Sequence, residues 1–212
     1  MDLYSDLKSK LYEGKKDETI DTVMSALDNG TDVIELYKVF SKILNEWDCD
    51  YEKDPLCIWK EHKISSIVRT AIECSYPFIM KNKAPESTLT CAVFCPQEEE
   101  HELGARMVAD VFTLNGIKTI FVGKEVPFNT FIEALKVEQF DMISISITDY
   151  YNLVYLCRFI DGLKRYSPKT KVLVGGRALY KNPEYYKKCG ADFQINDFDE
   201  LTKFLKSLGR SK

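Results

Sequence analysis

From residue 89 onward, short apolar runs alternate with segments of helical periodicity. Strands that alternate with helices in this way form a parallel sheet, with helices covering both of its faces. The pattern therefore predicts a flavodoxin-like or Rossmann-like sheet, which binds ligands at the carboxyl ends of its strands. The apolar runs predict five strands, at 89–95, 118–123, 141–148, 171–176 and 192–196.

The first 82 residues have a different, purely helical periodicity. Four amphipathic segments joined by short links are typical of an up-down four-helix bundle. The apolar residues of the third segment lie on one helical stripe that ends at Trp47. A polar stretch with a proline separates this pattern from the strand-containing one. We therefore predict an all-α bundle at 1–82, a linker at 83–88 and an α/β domain at 89–212.

Composition excludes several classes of function. The net charge is −4 and the pI is near 5.4, without the basic stripe of a nucleic-acid-binding protein. The sequence has neither the apolar run of about 20 residues that a membrane helix needs nor a signal-peptide core. We therefore expect a cytoplasmic protein that contacts neither DNA nor membrane. The sequence also lacks a P-loop, a dinucleotide-binding glycine loop and the chain order of a Ser/His/Asp catalytic triad. Their absence argues against enzymatic activity of the chain by itself.

The cysteines indicate a reducing environment. There are seven, an odd number, and they are scattered along the chain without a CxxC pair. Such usage is typical of buried thiols rather than of a disulfide framework. The sequence therefore predicts that most of the cysteines are reduced thiols.

The loop after the first predicted strand carries the residues best suited to chemistry. It contains Glu99, His101 and Gly104 in the spacing E-x-H-x-x-G. A histidine here can present one ring nitrogen to a metal while the Glu99 carboxylate binds the other and fixes the tautomer. Gly104 removes a side chain and lets a large flat ligand come close. The alternative is an acidic surface turn that contains a histidine by chance.

The residues at the ends of the third and fourth predicted strands have small side chains. Ser146 and Thr148 end the third strand, and Gly175 and Gly176 end the fourth. Because the carboxyl ends of parallel strands meet at one edge of a sheet, we expect these residues to face the crevice at the His101 loop. Small side chains there would open a slot between sheet and helices, although a routine left-handed turn would by itself explain the glycines.

These motifs resemble the cobalamin-binding domain of corrinoid methyltransferases, mutases and light-responsive regulators. That family carries Asp-or-Glu-x-His-x-x-Gly, then a Ser-x-Leu strand end, then Gly-Gly. The resemblance implies that His101 displaces the dimethylbenzimidazole base of cobalamin and binds the cobalt from below. It also implies that the released nucleotide tail enters a slot lined by Ser146, Thr148, Gly175 and Gly176.

The chain departs from that family pattern at four positions. Glu99 replaces the Asp of the methyltransferase type, Ser144 stands where Gly is usual, and Thr148 stands where Leu is usual. Asn152 stands near the position where methionine-synthase-like modules have a Ser that continues the histidine–carboxylate relay. These departures leave the expected fold intact and bear on the reaction.

The helical segment resembles the cap of cobalamin-dependent photoreceptors, the light-responsive regulators often fused to a MerR-type DNA-binding domain. Their caps carry a Trp, a gap and then Glu-His, and here Trp47 is followed by Glu61 and His62 after a longer gap. The resemblance implies that Trp47 and Glu61 contact an upper adenosyl group and that His62 binds cobalt after photolysis. His62 and His101 are the only histidines of the chain.

We therefore expect a cobalamin-binding sensor, namely an adenosylcobalamin photoreceptor domain that signals through a partner protein or through a change of oligomer. The alternative is a corrinoid carrier of a methyltransferase system, which would use methylcobalamin. Such carriers have Gly-Asp-Val-His-Asp-Ile-Gly-Lys-Asn at the loop and Phe-Leu-Pro in the cap, and both are missing here. A flavodoxin-like response module without cobalamin is a third option, with Asp149 just beyond a strand end.

Overall fold

The structure, a computed structural model, describes residues 2–180, 182 and 184–208. It divides into two compact units, of which the first ends at Asn82 and the second begins at Lys83. Within these described ranges, none of the helices combines the length and the apolar character that crossing a membrane requires.

The N-terminal unit is helical, as the periodicity predicts. Residues at helical spacing are fully buried in its core, among them Leu7, Leu36, Phe40 and Ile72. The last helix is the longest and contacts the other three. The four helices are α1 (Leu3–Glu13), α2 (Lys16–Asp28), α3 (Val33–Glu46) and α4 (Cys57–Asn82).

Trp47 lies just outside α3 and does not extend its apolar stripe. The helix ends at Glu46, and the backbone of Trp47 is extended, with φ −67° and ψ 118°. The acidic stretch that follows contains Asp48 and Asp50, residues that favour turns over helix interiors. The prediction that Trp47 is the last residue on the helical stripe was therefore wrong. Its indole ring packs edge-on against Tyr12, with 5.1 Å between the ring centroids.

The C-terminal unit contains a five-stranded sheet in which every neighbouring pair is parallel, in the order β2-β1-β3-β4-β5. This arrangement confirms the predicted fold. The strand order reverses between β1 and β3, so the loops that follow these two strands border the crevice where such sheets bind ligands. The strands are β1 (Thr90–Pro96), β2 (Lys118–Val126), β3 (Met142–Ser146), β4 (Lys171–Gly175) and β5 (Phe193–Ile195).

Five α-helices accompany the sheet in the described residues. They are α5 (Leu103–Leu114), α6 (Phe128–Val137), α7 (Leu153–Tyr166), α8 (Tyr185–Lys188) and α9 (Phe198–Leu208). On one face, Ile143 and Ile145 of β3 pack into a core with Phe131 of α6 and Phe159 of α7. Because side chains alternate along a strand, Ser144 and Ser146 point to the opposite face, where α5 packs on the sheet. This alternation places the small residues of β3 on the α5 side.

The segment 83–88, predicted as a linker, is hydrogen-bonded to the turn after α5. The amide of Ala84 donates to the carbonyl of Leu114 at 2.8 Å, and the amide of Ser87 donates to that of Gly116 at 2.7 Å. Gly116 has φ +80°, and a Cβ there would lie 2.3 Å from the carbonyl oxygen of Pro85. Glycine is therefore required where this segment crosses the turn.

Four of the seven cysteines form disulfides, so the prediction of reduced thiols was wrong for them. Cys49 pairs with Cys57 in the N-terminal unit, and Cys157 of α7 pairs with Cys189 after α8 in the C-terminal unit. Their Cα atoms are 5.2 Å and 4.3 Å apart. These contacts arise from the fold and have no signature in the sequence spacing. Cys74, Cys91 and Cys95 are free.

Candidate functional site

The loop after β1 is held in shape by a series of backbone hydrogen bonds. Glu98 has a left-handed conformation, with φ 66°. The amide of Glu99 donates to the carbonyl of Pro96 at 3.0 Å, and its carbonyl accepts from the amide of Glu125 at 3.2 Å. The loop therefore turns back over the end of the sheet and directs the Glu99 side chain inward.

The Glu99 carboxylate is fully buried at the switch point of the sheet. Its Oε2 atom accepts the amides of Thr148 and Asp149, each at 2.9 Å. Its Oε1 atom accepts the amide of His101 at 3.0 Å. Burial acts to raise the pKa of Glu99, but the hydrogen bonds from His101, Asp149 and Asn152 outweigh it and lower the pKa to about 2. Glu99 is therefore an anion held in a fixed position.

His101 is oriented by this carboxylate. Its Nδ1 atom lies 2.6 Å from Oε1 of Glu99, and its side chain is 56% exposed. Since an ionised carboxylate only accepts hydrogen bonds, the pairing assigns the proton to Nδ1. Nε2 then carries the lone pair on the side of the ring away from Glu99, which is the arrangement of a carboxylate-supported metal ligand. The structure thus brings together the two residues that the sequence singled out.

The loop after β3 contributes to the site through its backbone. β3 ends at Ser146, two residues earlier than predicted, because the amide of Thr148 bonds the Glu99 carboxylate instead of a neighbouring strand. Sequence reasoning missed Asp149 as a second donor. The only available signal was its position just after the third predicted strand.

Asn152 is the third residue after β3 that donates a hydrogen bond to the Glu99 carboxylate. It is 7% exposed, and its Nδ2 atom donates to Oε2 of Glu99 at 3.3 Å and to the carbonyl of Glu98 at 3.0 Å. The sequence indicated this residue only as a departure from a family pattern. In the structure it ties the loop after β3 to the loop that carries His101.

Small residues lie side by side on the α5 face of the sheet. Ser146 pairs with Gly175, and Gly175 pairs with Ile195 of β5. A Cβ added to Gly175 would lie 2.9 Å from the carbonyl oxygen of Ile195, which is closer than a side chain normally approaches a backbone atom. A Cβ added to Gly104 at the start of α5 would meet no atom within 4 Å. Gly104 therefore leaves room for a ligand at the start of α5, next to the small residues at the ends of β3 and β4.

Gly176 has a different role from its neighbour Gly175. It has φ +105°, and a Cβ there would lie 2.1 Å from the carbonyl oxygen of Ile147. Glycine is therefore required for the close approach of the two loop backbones, and Gly176 shapes the crevice through its backbone.

The candidate residues of the N-terminal unit lie just after α3 and on α4. Nε1 of Trp47 is buried without a hydrogen-bond partner among the described residues. Glu61 accepts a hydrogen bond from Oγ of Ser65 at 2.8 Å, and the His62 side chain is 73% exposed. Trp59 is 72% exposed and precedes His62 by three residues, so both lie on the same side of α4. Sequence reasoning did not single out Trp59.

The donor set fits a corrinoid cofactor. Among the residues that the structure describes, no group of three or more His, Cys, Asp or Glu side chains could hold a metal ion. A corrin ring supplies the equatorial nitrogens of its cobalt, so a single protein imidazole suffices as an axial ligand. His101, anchored by Glu99 beside the open space at Gly104, meets that requirement.

Comparison with protein families gives a match over most of the C-terminal unit. The model of the B12 binding domain matches residues 89–202, which is more than half of the chain. The matched segment contains β1, the His101 loop and all of the small residues described above.

Curated relatives cover most of the chain. The trimethylamine corrinoid protein 1 of Methanosarcina acetivorans is 26% identical over 171 residues, which span 79% of this chain and 78% of that protein. The trimethylamine corrinoid protein of Methanosarcina barkeri is 25% identical over 171 residues, which again span 79% of this chain and 78% of that protein. Among solved structures, the monomethylamine corrinoid protein of Methanosarcina barkeri has a TM-score of 0.81 at 18% identity and covers 97% of this chain and 98% of its own.

Proposed function

Since the chain belongs to the B12-binding domain family, we propose that it is a corrinoid carrier, which holds a methyl group on cobalt for a partner methyltransferase. The relatives described above are corrinoid proteins, and two of them are named for trimethylamine. They support the interpretation of the chain as a corrinoid carrier, which the sequence analysis gave as the alternative to a photoreceptor. The photoreceptor interpretation has no support among them, although the loop and cap of this chain lack the carrier motifs.

The Glu99–His101 pair carries this proposal. We assign His101 as the lower axial ligand of cobalt through Nε2, with Glu99 holding the ring by Nδ1 at 2.6 Å. A bound corrinoid supplies a cobalt atom that accepts and releases a methyl group. The fixed negative charge of Glu99 makes His101 a stronger donor, which favours the methylated form of the cofactor.

The remaining site residues would shape the space for the nucleotide tail. We assign Ser146 and Gly175 to the floor of a slot on the α5 side and Gly104 to its entrance. Thr148 and Gly176 would contribute through their backbones, Thr148 by its amide and Gly176 by the close approach that it permits. This division of roles refines the expectation that all of these residues line the slot.

Residues 1–82 would form a helical cap, followed by a linker at 83–88 and the cobalamin-binding domain at 89–212. A carrier needs an upper face that a methyltransferase can reach. We therefore propose that Trp47, Glu61 and His62 cover the upper ligand only loosely and contribute little to cofactor affinity. Methylcobalamin is then the working form, whereas adenosylcobalamin would belong to a photoreceptor.

Two measurements test the proposal. The apoprotein is titrated with hydroxocobalamin, and the absorbance spectrum is compared with that of His101→Ala. We expect the wild type to bind and the variant to lose the histidine-ligated spectrum. The loaded protein is then reduced to the cob(I)alamin state and mixed with trimethylamine and the methyltransferase that serves the Methanosarcina barkeri relative. Conversion to methylcobalamin supports the carrier, and identical binding and spectra for wild type and variant contradict it.

A further inference from the structure

Two adjacent tyrosines stand exposed beside the Glu99–His101 pair. Tyr150 is 57% exposed and Tyr151 is 84% exposed, and Val154, one turn further, is 66% exposed. The two rings are in edge contact, with 6.4 Å between their centroids. Large apolar side chains clustered on a surface mark a place where a ligand or a partner binds.

The backbone beneath these rings is rigidly anchored. Asp149 Oδ1 accepts the amide of Tyr151 at 2.9 Å, and the Asp149 amide itself binds the Glu99 carboxylate at 2.9 Å. Asn152 and Leu153, which follow the tyrosines, are 7% and 5% exposed, and Leu153 belongs to the core cluster. The tyrosines are therefore presented on a fixed turn rather than on a loose loop, and a preformed contact of this kind costs little entropy on binding.

The position of the turn favours the corrin ring as the occupant. β1 and β3 are hydrogen-bonded neighbours, and adjacent strands lie about 4.8 Å apart, so the loops that follow them are also adjacent. A corrin ring with its peripheral amides is wider than this spacing, and a ring centred over His101 must extend over the neighbouring loop. Tyrosine combines an apolar ring with a polar hydroxyl, which suits the methyl groups and amides at the edge of a corrin.

We infer that Tyr150 and Tyr151 form an aromatic support that contacts the corrin and fixes its orientation over His101. This inference rests on the cofactor site proposed above. The surface is continuous with the Glu99–His101 site through the Asp149 amide. Both tyrosines add corrin affinity without ligating cobalt.

The experiment compares hydroxocobalamin binding by the full-length wild type and by the double variant Tyr150→Ala/Tyr151→Ala. Absorbance titration gives the dissociation constant, and circular dichroism in the corrin bands reports the orientation of the ring. We expect binding on the order of tenfold weaker, the size of one or two aromatic contacts, together with changed dichroism. Tyr166→Ala is the matched control, because Tyr166 is 52% exposed at the opposite end of α7.

The pair Tyr150→Phe/Tyr151→Phe separates the ring from the hydroxyl and is expected to retain most of the affinity. If the double alanine variant does not fold, Tyr151→Ala alone provides the same comparison. Unchanged affinity and dichroism in the alanine variant overturn the inference. Unchanged binding together with slower methyl transfer also overturns the inference, because it would make Tyr150 and Tyr151 a docking surface for the methyltransferase. Failure of the wild type to bind hydroxocobalamin instead overturns the proposed function and the inference with it.

Discussion

Asn152 donates its side-chain amide to the Glu98 carbonyl at 3.0 Å and to the Glu99 carboxylate at 3.3 Å. It thereby fixes two consecutive residues of the loop that presents His101. An amide donates hydrogen bonds but, unlike a hydroxyl, does not readily pass a proton onward. In this chain the third member of the histidine–carboxylate arrangement therefore sets geometry.

Replacement of Asn152 by Ala should destabilise the apoprotein by about 1–3 kcal/mol, because the buried Glu99 carboxylate loses one of its donors and the Glu98 carbonyl loses its hydrogen bond from Asn152. Urea unfolding measures the change. Asn45→Ala is the control, because Asn45 lies exposed on α3 and should change stability by less than about 0.5 kcal/mol. Equal effects of the two substitutions would show that Asn152 does not hold the loop.

The parallel sheet was predictable because its strands are short apolar runs separated by helical patterns. The pairing of Glu99 with His101 was also predictable, since two residues of separation in a loop bring a carboxylate within reach of an imidazole. The donors from Asp149 and Asn152 were not predictable as contacts, because they come from about 50 residues further along the chain. Backbone amides have no sequence signature of their own, and the same holds for the disulfide between Cys157 and Cys189.

Stability should fall in acid as Glu99 takes up a proton. Its pKa is about 2 in the folded protein and 4.5 in a free side chain, so its contribution is complete above pH 4.5 and is lost as the pH falls toward 2. The shift corresponds to on the order of 3 kcal/mol. Glu99→Gln should therefore be less stable than wild type at pH 7, with a difference that shrinks between pH 4.5 and pH 2. Urea unfolding of both proteins across this range tests the prediction, which a pH-independent difference would contradict.

Gly104→Ala separates folding from ligand binding. The new methyl group meets no atom within 4 Å and lies in α5, so the apoprotein should gain up to about 1 kcal/mol of stability. Hydroxocobalamin affinity should nevertheless fall, because the methyl group enters the space that we assign to the ligand. Gly176→Ala is the contrasting variant, and its clash with Ile147 should lower stability by about 1–3 kcal/mol. A stabilised Gly104→Ala protein with unchanged affinity would place the ligand elsewhere.

The cap residues distinguish a carrier from a photoreceptor. In a carrier, Trp47→Phe and His62→Ala should leave hydroxocobalamin affinity within about twofold of wild type, which is under 0.5 kcal/mol. After loading with adenosylcobalamin and exposure to green light, wild type and His62→Ala should give the same absorbance spectrum. A light-induced species that only the wild type forms would instead identify His62 as an upper cobalt ligand and restore the photoreceptor interpretation.

The disulfides give a count that can be checked directly. Protein unfolded in guanidinium without reductant should react with a thiol reagent at three cysteines, Cys74, Cys91 and Cys95, and at all seven after reduction. Cys157 and Cys189 are 32 residues apart, so their bond should contribute roughly 4 kcal/mol by restricting the unfolded chain. Cys157→Ser should therefore lower the unfolding midpoint of the oxidised protein. If seven thiols react before reduction, the cysteines are reduced as the sequence predicts, and Cys157→Ser should then have a much smaller effect because there is no cross-link to lose.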